Sequence, residues 1–395
     1  MRHEIFPSLG VRVRRRDLLA ALLVTTAVSA LRADDAQKVP DVQASEGSLV
    51  FPSATWEEYS GISESGFTPA GVTSVSMMLR DLPTTSLMVV AGGKIAFKYG
   101  DVTEVSYLAS ARKSILSMLF GSYVESGAID LERTIGDLGI DDVGGLLPIE
   151  KSATIADLLT ARSGVYHPAA SPGSDKNAPA RGSQRPGSYF YYNNWDFNVL
   201  GAVFEKLTGK TVFAAFQSDL AGPLQLQDFD PSRQRMLGIE EQSRYPAYHF
   251  FLSARDMARL GLVMVRQGRW SGRTVVPQAW VQASTSVKVP SSGLTGSFKG
   301  RPLGYGYLWW LPEARSSTED WARSFLAAGN YGQFILGLPQ IDTVIVHRVA
   351  VPDRLAVARN LGTDLSSLKG VSASEFLKIA DAVLSARKPS IPSTR

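Results

Sequence analysis

The chain's 395 residues are 44% hydrophobic and 20% charged, enough apolar material for a large core without disulfides, and none of them is cysteine. That excludes a cysteine nucleophile, a thiolate metal site and a lipidated cysteine anchor. The formal charge of +4 is local: residues 1–30 carry five arginines against two acids, and the remainder holds 36 basic and 35 acidic side chains. Such a balance gives no electrostatic case for nucleic-acid binding.

Arg14-Arg15-Arg16-Asp17-Leu18-Leu19 leads into an apolar run of 13 residues, Leu18 to Ala30. A bilayer span needs about 20. The run instead has the charged and apolar regions of a secretory signal, Arg15-Arg16-Asp17-Leu18-Leu19 resembles a twin-arginine export signal, and Val28-Ser29-Ala30 offers small residues for cleavage. Residues 1–30 therefore read as an export signal, and the mature protein as periplasmic or secreted with no stable membrane span. Residues 31–50 are polar, contain Pro40 and read as a linker; 51–390 read as one folded domain and 391–395 as a tail.

Ser86 to Val90 and Ile95 to Tyr99 flank Gly92-Gly93, a hairpin signal. The spacing of Ile115, Leu116, Leu119 and Phe120 predicts a helix from about Ser110 to Glu125, stopped by Gly127. A second short helix is expected over Ser152–Arg162, followed by a long irregular stretch from Tyr166 to Gly187 that suits a functional loop or lid. Asn194 is expected to cap a helix carrying Phe197, Leu200 and Phe204. A further helix is predicted over Ser253–Gln267, a strand around Trp309-Trp310, an antiparallel pair at Gln333–Leu338 and Thr343–Val349, and a closing helix over Ser374–Ala386. Strands at both ends and helices between them imply an α/β (α+β) fold: one sheet assembled from distant segments, flanked by helices, with a helical insertion at about 126–250.

The chemistry concentrates in two places. A serine hydroxyl needs a base within hydrogen-bond reach to act as a nucleophile. Residues i and i+3 share a helix face, so Lys113 can point its amine at Ser110, and burial would favour the neutral amine. Ser-x-x-Lys occurs three times, at Ser110–Lys113, Ser366–Lys369 and Ser385–Lys388. Only Ser110 begins a helix with a hydrophobic face; the bland alternative is a helix cap with Lys113 solvated. The second motif is Pro186-Gly187-x-x-Phe190-x-Tyr192-x-Asn194, overlapped by Tyr191-x-Asn193, so two registers are open. A tyrosinate beside a lysinium could act as general base and later return the proton to the leaving group. The chain holds no Gly-x-Ser-x-Gly elbow, no His-Glu-x-x-His and no phosphate-binding glycine loop. Its histidines, His3, His167, His249 and His347, are scattered, and His167 in the long loop is the one retained as a site candidate. No metal or cofactor is called for.

With these motifs in order, the chain resembles the serine β-lactamase and penicillin-binding protein superfamily, especially class C β-lactamase-like esterases and 6-aminohexanoate-dimer hydrolases. The resemblance spans roughly residues 70–390 and includes Leu158-Leu159-Thr160-Ala161-Arg162-Ser163-Gly164, Ser253-Ala254-Arg255-Asp256-Met257-Ala258-Arg259, Tyr305-Gly306-Tyr307-x-Trp309-Trp310 and Gly329-Asn330-Tyr331-Gly332-Gln333. It implies a β-lactamase-like fold and an acyl-enzyme on Ser110, with Lys113 and Tyr192 as the base pair. Asn194 would orient the substrate carbonyl or the lysine, and the backbone N–H groups of Ser110 and Asn330, beside Gly329, would form the oxyanion hole. Relatives place Lys or His, then Thr or Ser, then Gly on the strand beside the site, where this chain has Ala327-Ala328-Gly329. The expected partner is therefore a small neutral ester or amide rather than a β-lactam or peptidoglycan peptide, with a lining from Tyr305, Tyr307, Trp309 and Tyr331. Arg162 or Arg181 is the alternative source of a cation. A β-lactamase or D-Ala-D-Ala peptidase, and a non-catalytic binding module on the same fold, are the rival readings.

Overall fold

The computed structural model describes residues 49–171, 177–360, 363 and 368–388. The export-signal reading, nearly all of the linker, Ser366 and the C-terminal tail lie outside them. Seven antiparallel strands form one sheet: β1 (Ser86–Ala91), β2 (Lys94–Gly100), β3 (Gly304–Tyr305), β4 (Trp310–Leu311), β5 (Phe325–Gly329), β6 (Gln333–Leu338) and β7 (Thr343–Arg348). Their order is β2-β1-β7-β6-β5-β4-β3. The N-terminal hairpin thus pairs with the C-terminal strand, Ser86 opposite Arg348 and Ala91 opposite Thr343. Both faces are covered, so β6 and β7 are buried along their whole length and read as continuous apolar runs rather than alternating ones.

One face carries α4 (Ala254–Val265), which Ser253 caps by accepting from the Asp256 N–H. A Cβ on Gly261 would lie 2.6 Å from Val344 Cγ1 and 2.8 Å from Ile335 Cγ2, so glycine lets this helix approach the sheet. The other face carries α1 (Pro69–Arg80) and α5 (Ala373–Ser385), with Phe376 stacked on Phe334 at 4.4 Å between ring centroids. Phe334 and Ile335 point to opposite faces, as the pleat requires. Between the hairpin and α4 lie α2 (Arg112–Glu125) and α3 (Asn194–Thr208), with several one- or two-turn helices in the region read as the insertion. α2 is buried from Arg112 through Gly121, polar Arg112, Lys113, Ser114 and Ser117 included, so it runs through the interior of the domain. No helix among the described residues is long and apolar enough to cross a membrane.

Four boundaries differ from expectation. The helix expected over Ser152–Arg162 is a short one, Ile155–Leu159, capped by Thr154. Ser110 belongs to a 3-10 turn, Ala109–Ala111, ahead of α2, and does not cap that helix. Asn193, not Asn194, caps α3, accepting from the Trp195 N–H. The Trp309-Trp310 segment forms only the two-residue strand β4, with Trp310 opposite Tyr305 and Leu326.

Arg348 at the end of β7 ties the sheet to the segments on either side of the Ser110 turn. Fully buried, it donates to the carbonyls of Leu252 (2.6 Å) and Ser106 (3.0 Å) and to Gln333 Oε1 (2.5 Å). Burial pushes its guanidinium down to about 9. Arg348→Met leaves these neutral acceptors without donors, and we expect a loss of roughly 1–3 kcal/mol, the cost of leaving a buried acceptor unsatisfied. Chemical denaturation monitored by tryptophan fluorescence measures it; a change within about 0.5 kcal/mol, as for an unimportant surface site, would mean the network does not hold the sheet to the turn.

Candidate active site

The Ser110 turn is anchored by the Leu108 N–H bonded to Phe250 O (3.0 Å) and by Ala111 N–H bonded back to Leu108 O (3.1 Å). Ala109 sits in the left-handed region, φ +47°, a conformation costing a non-glycine residue roughly 1–2 kcal/mol. The last residue of β5 lies directly against this turn: a Cβ on Gly329 would be 2.4 Å from Leu108 O and 3.0 Å from Ala111 N. Glycine at the strand end therefore sets the distance between the sheet edge and Ser110.

The Tyr192 segment is fixed from behind. Tyr191 N–H donates to Ala161 O (2.8 Å), Asn193 Nδ2 to Val165 O (3.0 Å), Ser163 Oγ to Asp196 Oδ1 (2.7 Å) and Trp195 Nε1 to Asp142 Oδ2 (2.7 Å). The Ser163-Gly164 corner is thus the bracket for the Tyr-x-Asn motif. Tyr192 is wedged between the rings of Phe197 (4.7 Å) and Phe298 (4.9 Å) and stacks on Trp310 (5.5 Å).

These elements converge on one amine. Lys113 Nζ lies 3.0 Å from Ser110 Oγ, 2.8 Å from the Tyr192 hydroxyl and 2.9 Å from Asn194 Oδ1. The side chain is buried, and burial holds the amine well below its ordinary range, helped by the positive charge of Arg112 next to it. Burial also pushes the Tyr192 phenol up to about 12, partly offset by the Ser110 hydroxyl and Arg112. Both directions favour a neutral amine beside a neutral phenol, the first of the two protonation states open from sequence, over a tyrosinate–lysinium pair. A neutral amine has two hydrogens and one lone pair. Asn194 Oδ1 can only accept, so it takes one hydrogen; the two hydroxyls share the other hydrogen and the lone pair.

Ser110, Tyr192, Asn194, Gly329 and Asn330 line a cleft of about 500 Å³, with Lys113 in its wall behind them. The register ambiguity resolves toward Tyr192: its hydroxyl meets the amine, whereas the Tyr191 ring packs edge-on against Tyr166. Of the four aromatic residues expected in the lining, only Tyr331 is there. Tyr305 and Trp309 are core, and Tyr307 stacks on Trp280; Trp310, Phe298 and Phe334 line the cleft instead. His167 is structural, its ring nitrogens on the carbonyls of Pro168 and Val143. Arg181 is committed to buried Glu150, and Arg162 Nε bonds Thr160. Neither lines the cleft; Arg112, Arg301, Arg359 and His249 do, three of them unremarked in the sequence and His249 set aside there as a scattered histidine. Arg112 lay in plain view inside Ser-Ala-Arg-Lys. The second copy of that tetrapeptide forms no such site: Ser385 Oγ bonds Asp381 O, and Lys388 Nζ reaches Ser63 O.

A serine, a desolvated amine and a phenol in mutual contact beside a cleft are the groups that an acyl-transfer site requires. Residues 76–354 match the family model Beta-lactamase, and the chain belongs to that family, whose members are mostly serine-based hydrolases. Three solved structures show the shared fold. A Bacillus anthracis protein assigned as a 6-aminohexanoate-dimer hydrolase is 20% identical over 79% of this chain and 82% of its own, with a TM-score of 0.55. EstCE1, described as a hydrolase with promiscuous acyltransferase activity, is 17% identical over 80% and 97%, TM-score 0.56. A Mycobacterium bovis β-lactamase is 19% identical over 78% and 99%, TM-score 0.52. No curated protein matches the sequence.

A neutral Lys113 gives a pH signature. Proton uptake by the amine removes the base, so kcat/KM falls on the acid side through a midpoint well below the ordinary lysine range. Arg112→Met removes a positive neighbour, raises the amine's proton affinity and moves that limb to higher pH. A limb at the same pH in both proteins would show that Arg112 does not act on Lys113.

Proposed function

We propose that the protein is an exported serine hydrolase that cleaves esters or amides through an acyl-enzyme on Ser110. The observation carrying this reading is the single amine shared by Ser110, Tyr192 and Asn194. Neutral Lys113 accepts the hydroxyl proton as Ser110 Oγ attacks the carbonyl carbon. The oxygen of the tetrahedral intermediate rests against the backbone N–H groups of Ser110 and Asn330, a placement that stabilises developing negative charge. The proton then passes from Lys113, with the Tyr192 phenol as relay, to the departing alkoxide or amine as the C–O or C–N bond breaks. Water attacks the acyl carbon, gives its proton to the same base, and the carboxylic acid leaves as the proton returns to Ser110. Asn194 holds the amine by accepting one of its hydrogens.

Strand β5 supports a neutral group along the sheet edge: Ala327 is core and Ala328 lines the cleft, so no cation stands there to hold a carboxylate. Short-chain nitrophenyl esters should therefore be better substrates than penicillins or cephalosporins. The test is a panel of neutral esters, amides and β-lactams. Ser110→Ala should abolish turnover, and Lys113→Ala and Tyr192→Phe should each lower kcat about 10²-fold or more, the scale of general-base catalysis. Full activity in Ser110→Ala would overturn the reading, and no turnover of any substrate, with no labelling of Ser110 by a fluorophosphonate, would favour the non-catalytic binding module.

Export rests on the arginine pair and the short apolar run of residues 1–30. Arg15→Lys with Arg16→Lys should hold the precursor in the cytoplasm of the native host, as seen by fractionation. A mature protein still beginning at Met1 would contradict export.

A further inference from the structure

The cleft contains a cation that the acyl-transfer chemistry leaves unused. Arg112 is 2% exposed and lines the cleft beside Ser110. Its guanidinium lies over the Tyr248 ring, 4.3 Å from the centroid, and Nη2 donates to Asn198 Oδ1 at 2.9 Å. Nη1 has no hydrogen-bond partner among the described residues, and no carboxylate there pairs with the side chain. The Tyr248 hydroxyl is close enough to feel the charge but does not meet hydrogen-bond geometry. An uncompensated buried charge costs several kcal/mol, and buried polar groups left without partners are rare enough to need a reason.

His249 repeats the observation from the neighbouring wall. It is 2% exposed and lines the same cleft; Asn360 is near enough to interact with the ring, but neither ring nitrogen meets hydrogen-bond geometry with any described residue. Burial and then the charge of Arg112 hold the imidazole well below its ordinary range, so it is neutral and offers one N–H donor. The rest of the wall has the same bias. Arg301 and Arg359 line the cleft as well, and none of its described lining residues is Asp or Glu. Clefts lined by one sign of charge concentrate ligands of the other sign.

We infer that Arg112 and His249 form an anion subsite in the cleft, and that the substrate carries a carboxylate, or an anion of the same shape, away from its scissile bond. The inference takes from the proposed function only that this cleft receives the substrate. It narrows the expectation of neutral substrates to the edge of β5 and puts the charge on a different wall. The carboxylate sits against the wall that Arg112 and His249 form, where their buried nitrogens lie just beneath the cleft surface. A planar guanidinium suits a carboxylate better than a lysine ammonium does.

Two arms test the subsite. In the first, kcat/KM is compared for the 4-nitrophenyl monoester of glutaric acid and for 4-nitrophenyl valerate, which has the same acyl length but no charge. The monoester should be preferred by about tenfold or more, the scale of one charge-assisted hydrogen bond, with a preference that shrinks as salt rises. Arg112→Met should remove the preference, and because both substrates share the base, any effect of Arg112 on Lys113 cancels in the ratio. In the second arm, calorimetry reads glutarate against glutaramide on Ser110→Ala, which reports the subsite even if Ser110 proves not to be the nucleophile. Glutarate should bind and the diamide should not. Should Arg112→Met fail to fold, Arg112→Lys, which keeps charge without the planar fork, and His249→Asn should each reduce the ratio. Equal use of both esters by the wild type, or a monoester preference unchanged in the folded arginine and histidine variants, overturns the inference.

Discussion

The site depends on one desolvated amine. Lys113 reaches three oxygens at 2.8–3.0 Å, and its side chain is closed off from water. In water the same amine would carry a proton and could not receive one from serine. Desolvation disfavours the cation, so burial favours the neutral amine that the proposed mechanism needs as its base. The arrangement requires each contributing element to stand at the correct height: the turn before α2, the segment before α3, and the end of β5. The strained Ala109 and the absent side chain of Gly329 mark where the chain is bent or thinned to allow this. Strain of this kind persists only where its surroundings over-determine it.

The fold supplies those surroundings. Arg348 binds the sheet to the segments flanking the nucleophile turn, and the Asp142, Ser163 and Asp196 contacts brace the Tyr192 segment. Tyr192 is held by rings on more than one side. The phenol has little freedom to leave the amine, and a fixed geometry of reacting groups is worth more to catalysis than any single contact. The same burial encloses Arg112 and His249 in the neighbouring wall of the cleft, so one environment surrounds both the amine and these two side chains.

Much of this was readable from the sequence because it was local. The hairpin at Gly92-Gly93, the β6–β7 pair, the helix after Ser110 and the α4 pattern are short-range signals, and all appear within a residue or two of where the pattern puts them. The order of Ser110, Lys113 and Tyr192 survives because each belongs to a recognisable motif. What failed to show was non-local. The sparse apolar pattern of α1, PAGVTSVSMMLR, gave no helix signal, and the helix rests on α5 more than three hundred residues away along the chain, with the Thr68 N–H bonded to Ala386 O. The identical Ser-Ala-Arg-Lys at the end of α5 shows the limit most sharply, since tertiary placement alone separates a buried amine from one bonded to a surface carbonyl. Arg112 and His249 could not be singled out for the same reason: local sequence does not reveal which side chain borders a cavity.

The central claim is that Lys113 is a neutral amine in the folded protein. It can be measured by following the lysine Cε and Nζ resonances of isotope-labelled protein through a pH titration, with Lys113 assigned by difference against Lys113→Ala. The account predicts one lysine that stays neutral well below the range in which the solvent-facing lysines titrate. A Lys113 signal that titrates together with the surface lysines would contradict it, and would leave Ser110 without a base.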